Sequence, residues 1–139
     1  MFRGVWWRLT TAWATASLRA RGVSLGRGVH FLGFPVASGA LGRVKIGDRV
    51  TFASEVRSTA LGVRGPCILR ILGPDGRIEI GDDTGASGVV VCSAVSVTIG
   101  ARCLIGADVM IFDTDFHNHP AQGRRHAAGP IRNRQPETK

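Results

Sequence analysis

Aliphatic residues recur with a period of six over the central part of the chain. Ile99, Ile105 and Ile111 are six residues apart, and Gly100 and Gly106 follow the first two. Earlier copies of this order begin at Ile46, Phe52 and Ile80, with weaker copies at Ala86 and Cys92. Such a period fits one flat face of a triangular coil, with the aliphatic side chain inside and the small residue at the corner. Three hexads close a coil of about 18 residues, and stacked coils form parallel sheets. We therefore predict an all-β fold, a parallel β-helix.

The first 21 residues have a different period. Their apolar positions are spaced by three and four, as on one face of a helix: Phe2, Val5, Trp6, Leu9, Trp13 and Leu18. The sequence predicts a short amphipathic α-helix over residues 1–21. Two roles stay open, a cap on the open end of the β-helix and an interfacial helix on an anionic membrane. No apolar run approaches the length of a membrane span, and Arg8 interrupts what would be the core of a signal peptide.

The chain has 139 residues, a length that suffices for one domain. Its charge is unevenly distributed. The net charge is +8, and residues 1–47 hold seven Arg or Lys and no Asp or Glu. This segment suits anionic lipid or a phosphorylated ligand. Nucleic acid is not expected, because no nucleic-acid-binding motif is present. Cys67, Cys92 and Cys103 lie in apolar runs without metal-binding spacing, which favours a reducing cytoplasm. If residues 1–21 form an interfacial helix, the protein is peripheral at the inner face of the membrane.

The six-residue period stops after Ile111, where a polar loop begins. Asp113, Asp115, His117 and His119 follow within eight residues. A repeat that ends in a loop with two carboxylates and two imidazoles indicates a structural framework that carries a functional site. The acidic residues at the coil corners have a simpler interpretation as solvated turn residues: Asp48, Asp82, Asp83 and Asp108.

These features together resemble the hexapeptide-repeat acyltransferases, such as the galactoside and maltose O-acetyltransferases. The resemblance covers about residues 23–130 and is sharpest at Ile80-Gly81-Asp82-Asp83-Thr84-Gly85 and at Asp113-Thr114-Asp115-Phe116-His117. It implies a left-handed β-helix over residues 22–131, an active-site loop over 112–130 and a polar tail over 132–139. It also implies an O-acetyltransferase that moves an acetyl group from acetyl-CoA to a hydroxyl of a sugar or surface-polysaccharide precursor, without a metal.

The same resemblance implies roles for single residues. His117 is the expected general base, since a neutral imidazole can accept a hydroxyl proton near neutral pH. A backbone N–H near Gly106 is the expected oxyanion donor on the acetyl-CoA side. Asp113 or Asp115 orients the imidazole or binds sugar hydroxyls. Apart from the resemblance, winding the chain into coils sets Ser87 about two coil edges before His117, where we expect it to line an acceptor pocket. The polysaccharide, a lipid-linked sugar, a free glycoside and an amine all remain open as acceptors.

The sequence departs from the family after Pro130, where a polar tail stands in place of further coils. We therefore expect a β-helix that is incomplete at its C-terminal end. In the relatives, the missing coils hold acetyl-CoA between subunits of a homotrimer. Two alternatives follow. One is an inactive β-helix that binds a membrane or partner through residues 1–21. The other is a metalloenzyme like the γ-class carbonic anhydrases, with zinc on His117, His119 and His126.

Overall fold

The chain begins with one α-helix and continues as short strands. The structure is a computed structural model that describes the backbone of residues 2–116 and the side chains of residues 4–116. Helix α1 spans Phe2–Ala20, which confirms the predicted helix. The strands are β1 (Ser24–Leu25), β2 (His30–Leu32), β3 (Val36–Ser38), β4 (Val44–Ile46), β5 (Thr51–Ala53), β6 (Ile68–Ile71), β7 (Ile78–Ile80), β8 (Gly85–Ser87), β9 (Val90–Ser93), β10 (Val97–Ile99), β11 (Leu104–Ile105) and β12 (Met110–Phe112).

The strands form three parallel sheets that the chain visits in turn. Sheet 1 has the order β1-β4-β7-β10, sheet 2 the order β2-β5-β8-β11, and sheet 3 the order β3-β6-β9-β12. Each strand therefore pairs with the strand three elements later, so every circuit of the chain adds one coil. The predicted parallel β-helix is confirmed at this level.

The core fills the inside of the coils, as the six-residue period predicted. Phe31 and Phe52 stack at its centre, with ring centroids 5.5 Å apart. Ile46, Ile80 and Ile99 also belong to the core cluster. In β9 of sheet 3 the predicted phase is wrong by one residue, whereas Ile111 of β12 aligns with the inward Val91 as the period predicted. The register aligns Val91, not Cys92, with the inward Leu69, because residues 88 and 89 alone connect β8 to β9.

Corner 1, between sheets 1 and 2, is the most regular part of the fold. Four residues turn it in every coil, namely 26–29, 47–50, 81–84 and 100–103. The first of each four is glycine, and the column is tightly packed. A Cβ on Gly81 would lie 2.5 Å from the backbone nitrogen of Ala101, a separation that real Cβ atoms do not show. The small hexad position is thus required by coil stacking.

The corner acids lie in turns and are largely open to solvent, as predicted, and they also link neighbouring coils. Asp82 accepts a hydrogen bond from the backbone N–H of Asp48, and Asp48 accepts one from that of Arg27, both at 2.8 Å. That backbone bond from Arg27 lowers the pKa of Asp48 below its ordinary value. Arg49 donates through Nε and Nη2 to both oxygens of Asp83, at 2.6 and 2.8 Å. Each acid links one coil to the next.

The coils are longer than the three uninterrupted hexads that were predicted. In sheet 1, Ile78 pairs with Val44 in the preceding coil and with Val97 in the following coil. Both intervals in the sequence exceed three hexads, and the interval from Val44 to Ile78 is much the longer. The additional residues enter at corner 2, between sheets 2 and 3, and at corner 3, between sheets 3 and 1. The largest insertion is the segment 54–67 at corner 2. Asp108, also predicted to be only solvated, ties this insertion down by accepting a hydrogen bond from the backbone N–H of Arg64.

Helix α1 covers the first coil. Ala14 and Leu18 are buried in the core cluster. Thr10 Oγ1 donates to the carbonyl of Phe31 at 2.8 Å, and Thr11 Oγ1 accepts from the N–H of Phe31 at 2.9 Å. The helix thereby occupies backbone groups of an edge strand that would otherwise be open to association. In the described part of the chain, no helix is long and apolar enough to cross a bilayer.

Candidate active site

A groove on sheet 2 brings together two of the predicted site residues. Its volume is about 390 Å³, and both Ser87 and Gly106 line it. Ser87 ends β8 and Gly106 follows β11, so the parallel register sets them near each other at corner 2. Gly106 leaves the groove open, since a Cβ there would meet no atom within 4 Å. The remaining lining residues are Leu32, Thr51, Ala53, Ser58, Thr59, Gly85, Ala86, Leu104 and Ile105.

The insertion at corner 2 supplies a hydroxyl that the sequence did not single out. Thr59 lines the groove, and its Oγ1 is buried without a hydrogen-bond partner, alone in this respect among the buried side-chain atoms of the described residues. A buried polar atom without a partner is costly and is uncommon in folded proteins. Because this atom is buried, a ligand in the groove would reach it only if the Thr59 side chain turned toward the groove. No motif marks this residue, because only the path of the 54–67 insertion brings it to the groove.

Asp113 is held at corner 3 by the turn of the preceding coil. Its carboxylate accepts hydrogen bonds from the backbone N–H groups of Ala94 (2.5 Å), Val95 (2.9 Å) and Ser96 (2.6 Å). Ser93 Oγ donates a fourth bond at 3.1 Å. Burial acts to raise the pKa of Asp113, but the hydrogen bonds from residues 93–96 outweigh it, so this pKa lies below its ordinary value. The carboxylate anchors the start of the polar loop.

The loop then turns sharply before His117. Thr114 is buried, and its Oγ1 accepts a hydrogen bond from the N–H of Phe116 at 3.3 Å. Phe116 has a φ of 60°, a conformation that is rare for a bulky residue, and its ring lies 5.3 Å from that of Phe112. Asp115 is exposed beside this turn. His117 is the next residue and lies outside the described residues, as do His119 and His126.

The structure places the predicted site residues at two different corners. Ser87 and Gly106 are at corner 2, before the strands of sheet 3. Asp113 and Asp115 are at corner 3, after those strands, and neither lines the groove. Within one chain, the width of sheet 3 separates the groove from the start of the loop.

The outer face of sheet 3 carries an apolar ladder between the two corners. The register aligns Val36, Ile68, Val90 and Met110 across four coils. Val36 and Met110 are exposed, and Ile68 and Val90 are half-buried. The corresponding positions of sheet 1 are Ser24, Lys45, Glu79 and Thr98, which are polar. The apolar ladder is a surface suited to a protein neighbour.

Burial disfavours thiolate chemistry at two of the three cysteines. Burial raises the pKa of the Cys67 and Cys92 thiols, which disfavours the nucleophilic thiolate. All three cysteines are free. Within residues 4–116, no group of three or more His, Cys, Asp or Glu side chains is arranged to hold a metal ion. His117, His119 and His126, the histidines considered for zinc, lie outside this part.

Comparisons with protein-family models, with curated proteins and with solved structures find no match to this chain. The functional argument therefore depends on the residues and their geometry.

Proposed function

We propose that this protein is an acetyl-CoA-dependent O-acetyltransferase acting on a hydroxyl of a sugar-type acceptor, on a β-helix wound left-handed. The observation that carries the proposal is the combination of a groove at corner 2 with an anchored Asp-Thr-Asp-Phe loop that leads into His117. In this proposal His117 is the general base, and Asp113 positions its loop through the bonds to residues 94–96.

The groove has the composition expected of a binding cleft for part of such a substrate pair. Its apolar walls and its hydroxyls from Ser87 and Thr59 match the usual mixture of apolar lining and a few polar groups. Its volume of about 390 Å³ is near the lower end of small-molecule sites. We assign to it the acetyl end of the donor, beside Gly106, and the acceptor hydroxyl, beside Ser87.

A homotrimer reconciles this assignment with the two separated corners. If the apolar ladder of sheet 3 packs against a neighbouring copy, corner 3 of one chain can approach corner 2 of the next. His117 and Asp115 would then act on a groove that another copy supplies. The apolar surface at Val36 and Met110 supports such packing, because its burial would be favourable.

The proposed chemistry needs no covalent intermediate on the enzyme. Neutral His117 takes the acceptor proton as the oxygen attacks the thioester carbonyl, and a backbone N–H near Gly106 stabilises the oxyanion. Collapse of the tetrahedral intermediate breaks the C–S bond. The imidazolium then returns its proton to the departing thiolate, so that an O-acetyl ester and a free thiol result. Asp115 is assigned to the acceptor hydroxyls or to the imidazole.

The test is acetyl-CoA-dependent thiol release against a panel of glycosides, lipid-linked sugars and amines. We expect His117→Ala to lower kcat by at least about a hundredfold, the usual contribution of a general base. His30→Ala is the matched control, because His30 is exposed in the first coil, and we expect it to leave turnover unchanged. Equal turnover in both variants would remove His117 from the mechanism.

The trimer and the groove are tested separately. Calorimetry with acetyl-CoA and light scattering on the same sample should give micromolar binding by a trimer. Gly106→Val should weaken binding without lowering the melting temperature, since space for the side chain is open. Binding by a monomer with unchanged affinity in Gly106→Val would contradict both assignments, and stoichiometric zinc by metal analysis would favour the metalloenzyme alternative.

A further inference from the structure

We propose that helix α1 and the Phe34 corner form a docking surface for an anionic lipid bilayer, independently of the acetyl transfer proposed above. This docking patch consists of Val5, Trp6, Leu9, Trp13 and Phe34. All five side chains are exposed, with Leu9 and Trp13 at 60% and 57%.

The patch is unusual because α1 exposes large apolar side chains beside its buried face. A helix that covers a core is expected to carry polar residues on its solvent side. Here the inner face buries Thr10, Ala14 and Leu18, and the flank next to it exposes Leu9 and Trp13. Capping the first coil explains the buried set, but it does not require the exposed side chains to be apolar.

The fold holds the aromatic rings in place. Phe34 lies at corner 2 of the first coil, after Gly33, whose φ of 100° is in the region that favours glycine. Its ring packs edge-on against Trp6 at 5.9 Å and against Trp13 at 5.0 Å. Trp6 Nε1 donates to Glu55 at 3.2 Å. A shallow groove lies between the rings, lined by the three aromatic residues with Leu9 and Thr10.

Charge selects the kind of partner. From the N-terminus to residue 47 the chain holds seven Arg or Lys and no acid. Arg8 and Arg19 are both exposed on α1 itself. Apolar and Trp side chains bordered by cations are the composition of helices that lie in the interface of anionic bilayers.

A second copy of the chain fits this patch poorly. An aromatic side chain has about 150–250 Å² of surface, and about half of each ring residue is exposed. The three aromatic residues together with Val5 and Leu9 offer on the order of 500 Å², below the roughly 800 Å² per partner of a standard stable interface. Pairing two copies here would also oppose two clusters of cations. Trp near a basic surface instead suits the headgroup region of a membrane.

Sedimentation of the full chain with vesicles tests the proposal. We expect binding to vesicles containing phosphatidylglycerol, and roughly tenfold weaker binding to pure phosphatidylcholine or at high salt, because the cations contribute through a screened attraction. Leu9→Gln combined with Trp13→Gln should weaken binding at least tenfold. Leu61→Gln is the matched control, since Leu61 is 91% exposed on the corner 2 insertion, and it should bind like the unaltered chain.

Fluorescence gives an independent measurement of the contact surface. The chain has three Trp, all within α1, and no Tyr, so indole emission reports on this helix alone. We expect a blue shift on addition of anionic vesicles and quenching by brominated acyl chains. Arg8→Glu should weaken binding more than Arg70→Glu, whose side chain is exposed on sheet 3.

Several results would overturn the proposal. These are no sedimentation with anionic vesicles, equal binding to neutral ones, binding without an emission shift, and binding that survives the Leu9 and Trp13 changes. A change of oligomeric mass in that double variant would assign the patch to a second copy instead. Loss of acetyl transfer in His117→Ala leaves vesicle binding intact, so failure of one proposal is distinguishable from failure of the other.

Discussion

The four hydrogen bonds on Asp113 make a strong prediction about stability. Three backbone N–H groups and Ser93 Oγ converge on its carboxylate. Asp113→Asn keeps the size of the side chain but removes the charge and turns one acceptor into a donor, which then faces backbone N–H groups. Hydrogen bonds to a charged group contribute about 1.5–3 kcal/mol each when buried.

The expected loss is smaller than a sum over four such bonds. Asp113 is half-buried, so water can replace part of what is lost and screens the charge. We expect the free energy of unfolding to fall by about 2 kcal/mol, or roughly 6 °C in melting temperature for a domain of this size. Thermal and urea unfolding followed by circular dichroism measure it. Asp75→Asn is the control, because Asp75 is exposed in the turn between β6 and β7.

The pH dependence provides the refuting measurement. The folded pKa of Asp113 is lowered, so the carboxylate contributes its full stability above the unfolded pKa of about 3.9. That contribution is lost as the pH falls through the lower folded pKa. The gap between Asp113→Asn and the unaltered chain should therefore be constant from pH 5 to 8 and narrow below pH 4. A variant that melts like Asp75→Asn, or a gap unchanged at pH 3, would refute the reasoning.

Two further predictions concern corner 1. Gly81→Ala should reduce the free energy of unfolding by about 3 kcal/mol, because its Cβ meets backbone atoms of the next coil. Gly106→Ala at corner 2 is the control, because an added Cβ there meets no atom within 4 Å, and it should reduce the free energy of unfolding far less. Equal urea midpoints for the two variants would show that corner 1 relaxes freely around the added methyl group. Arg49→Gln should lower the melting temperature by less than Asp113→Asn, since its pair with Asp83 is exposed. This loss should shrink in high salt, and a salt-independent loss would attribute it to packing.

The sequence predicted the parts of the fold that depend on short-range pattern. The aliphatic period placed Ile46, Ile80 and Ile99 in the core, and the glycines after them turned out to form a column where coils approach closely. The three- and four-residue spacing predicted α1. Each of these features depends on residues that are close together in the sequence, so it can be predicted without knowing the length of a coil.

The features that the sequence missed depend on which residues stack across coils. The coil from Val90 to its partner Met110 is longer than three hexads, so Asp113 follows the pair Phe112 and Cys92 and stands opposite Ser93. A coil of three hexads, as predicted, would have aligned Asp113 with Val95, so the sequence did not show that its carboxylate meets the start of this turn. Thr59 reaches the groove through an insertion of irregular sequence, which carries no period. The phase error at Cys92 has the same origin, because a two-residue corner shifts the inward position by one.

The three corners differ in how they vary from coil to coil. Corner 1 has four residues in every coil, whereas the other two corners range from a two-residue connection at 88–89 to the long segment 54–67. Packed glycines and the hydrogen bonds from backbone N–H groups to acids keep corner 1 at a constant length. Additional residues therefore enter at corners 2 and 3, where they do not disturb the stacking of the coils. For protein engineering, this divides the molecule into a rigid edge and two permissive ones. Foreign peptides or recognition loops should be grafted at corners 2 and 3, and coils should be added or removed only in units that preserve the four-residue turn.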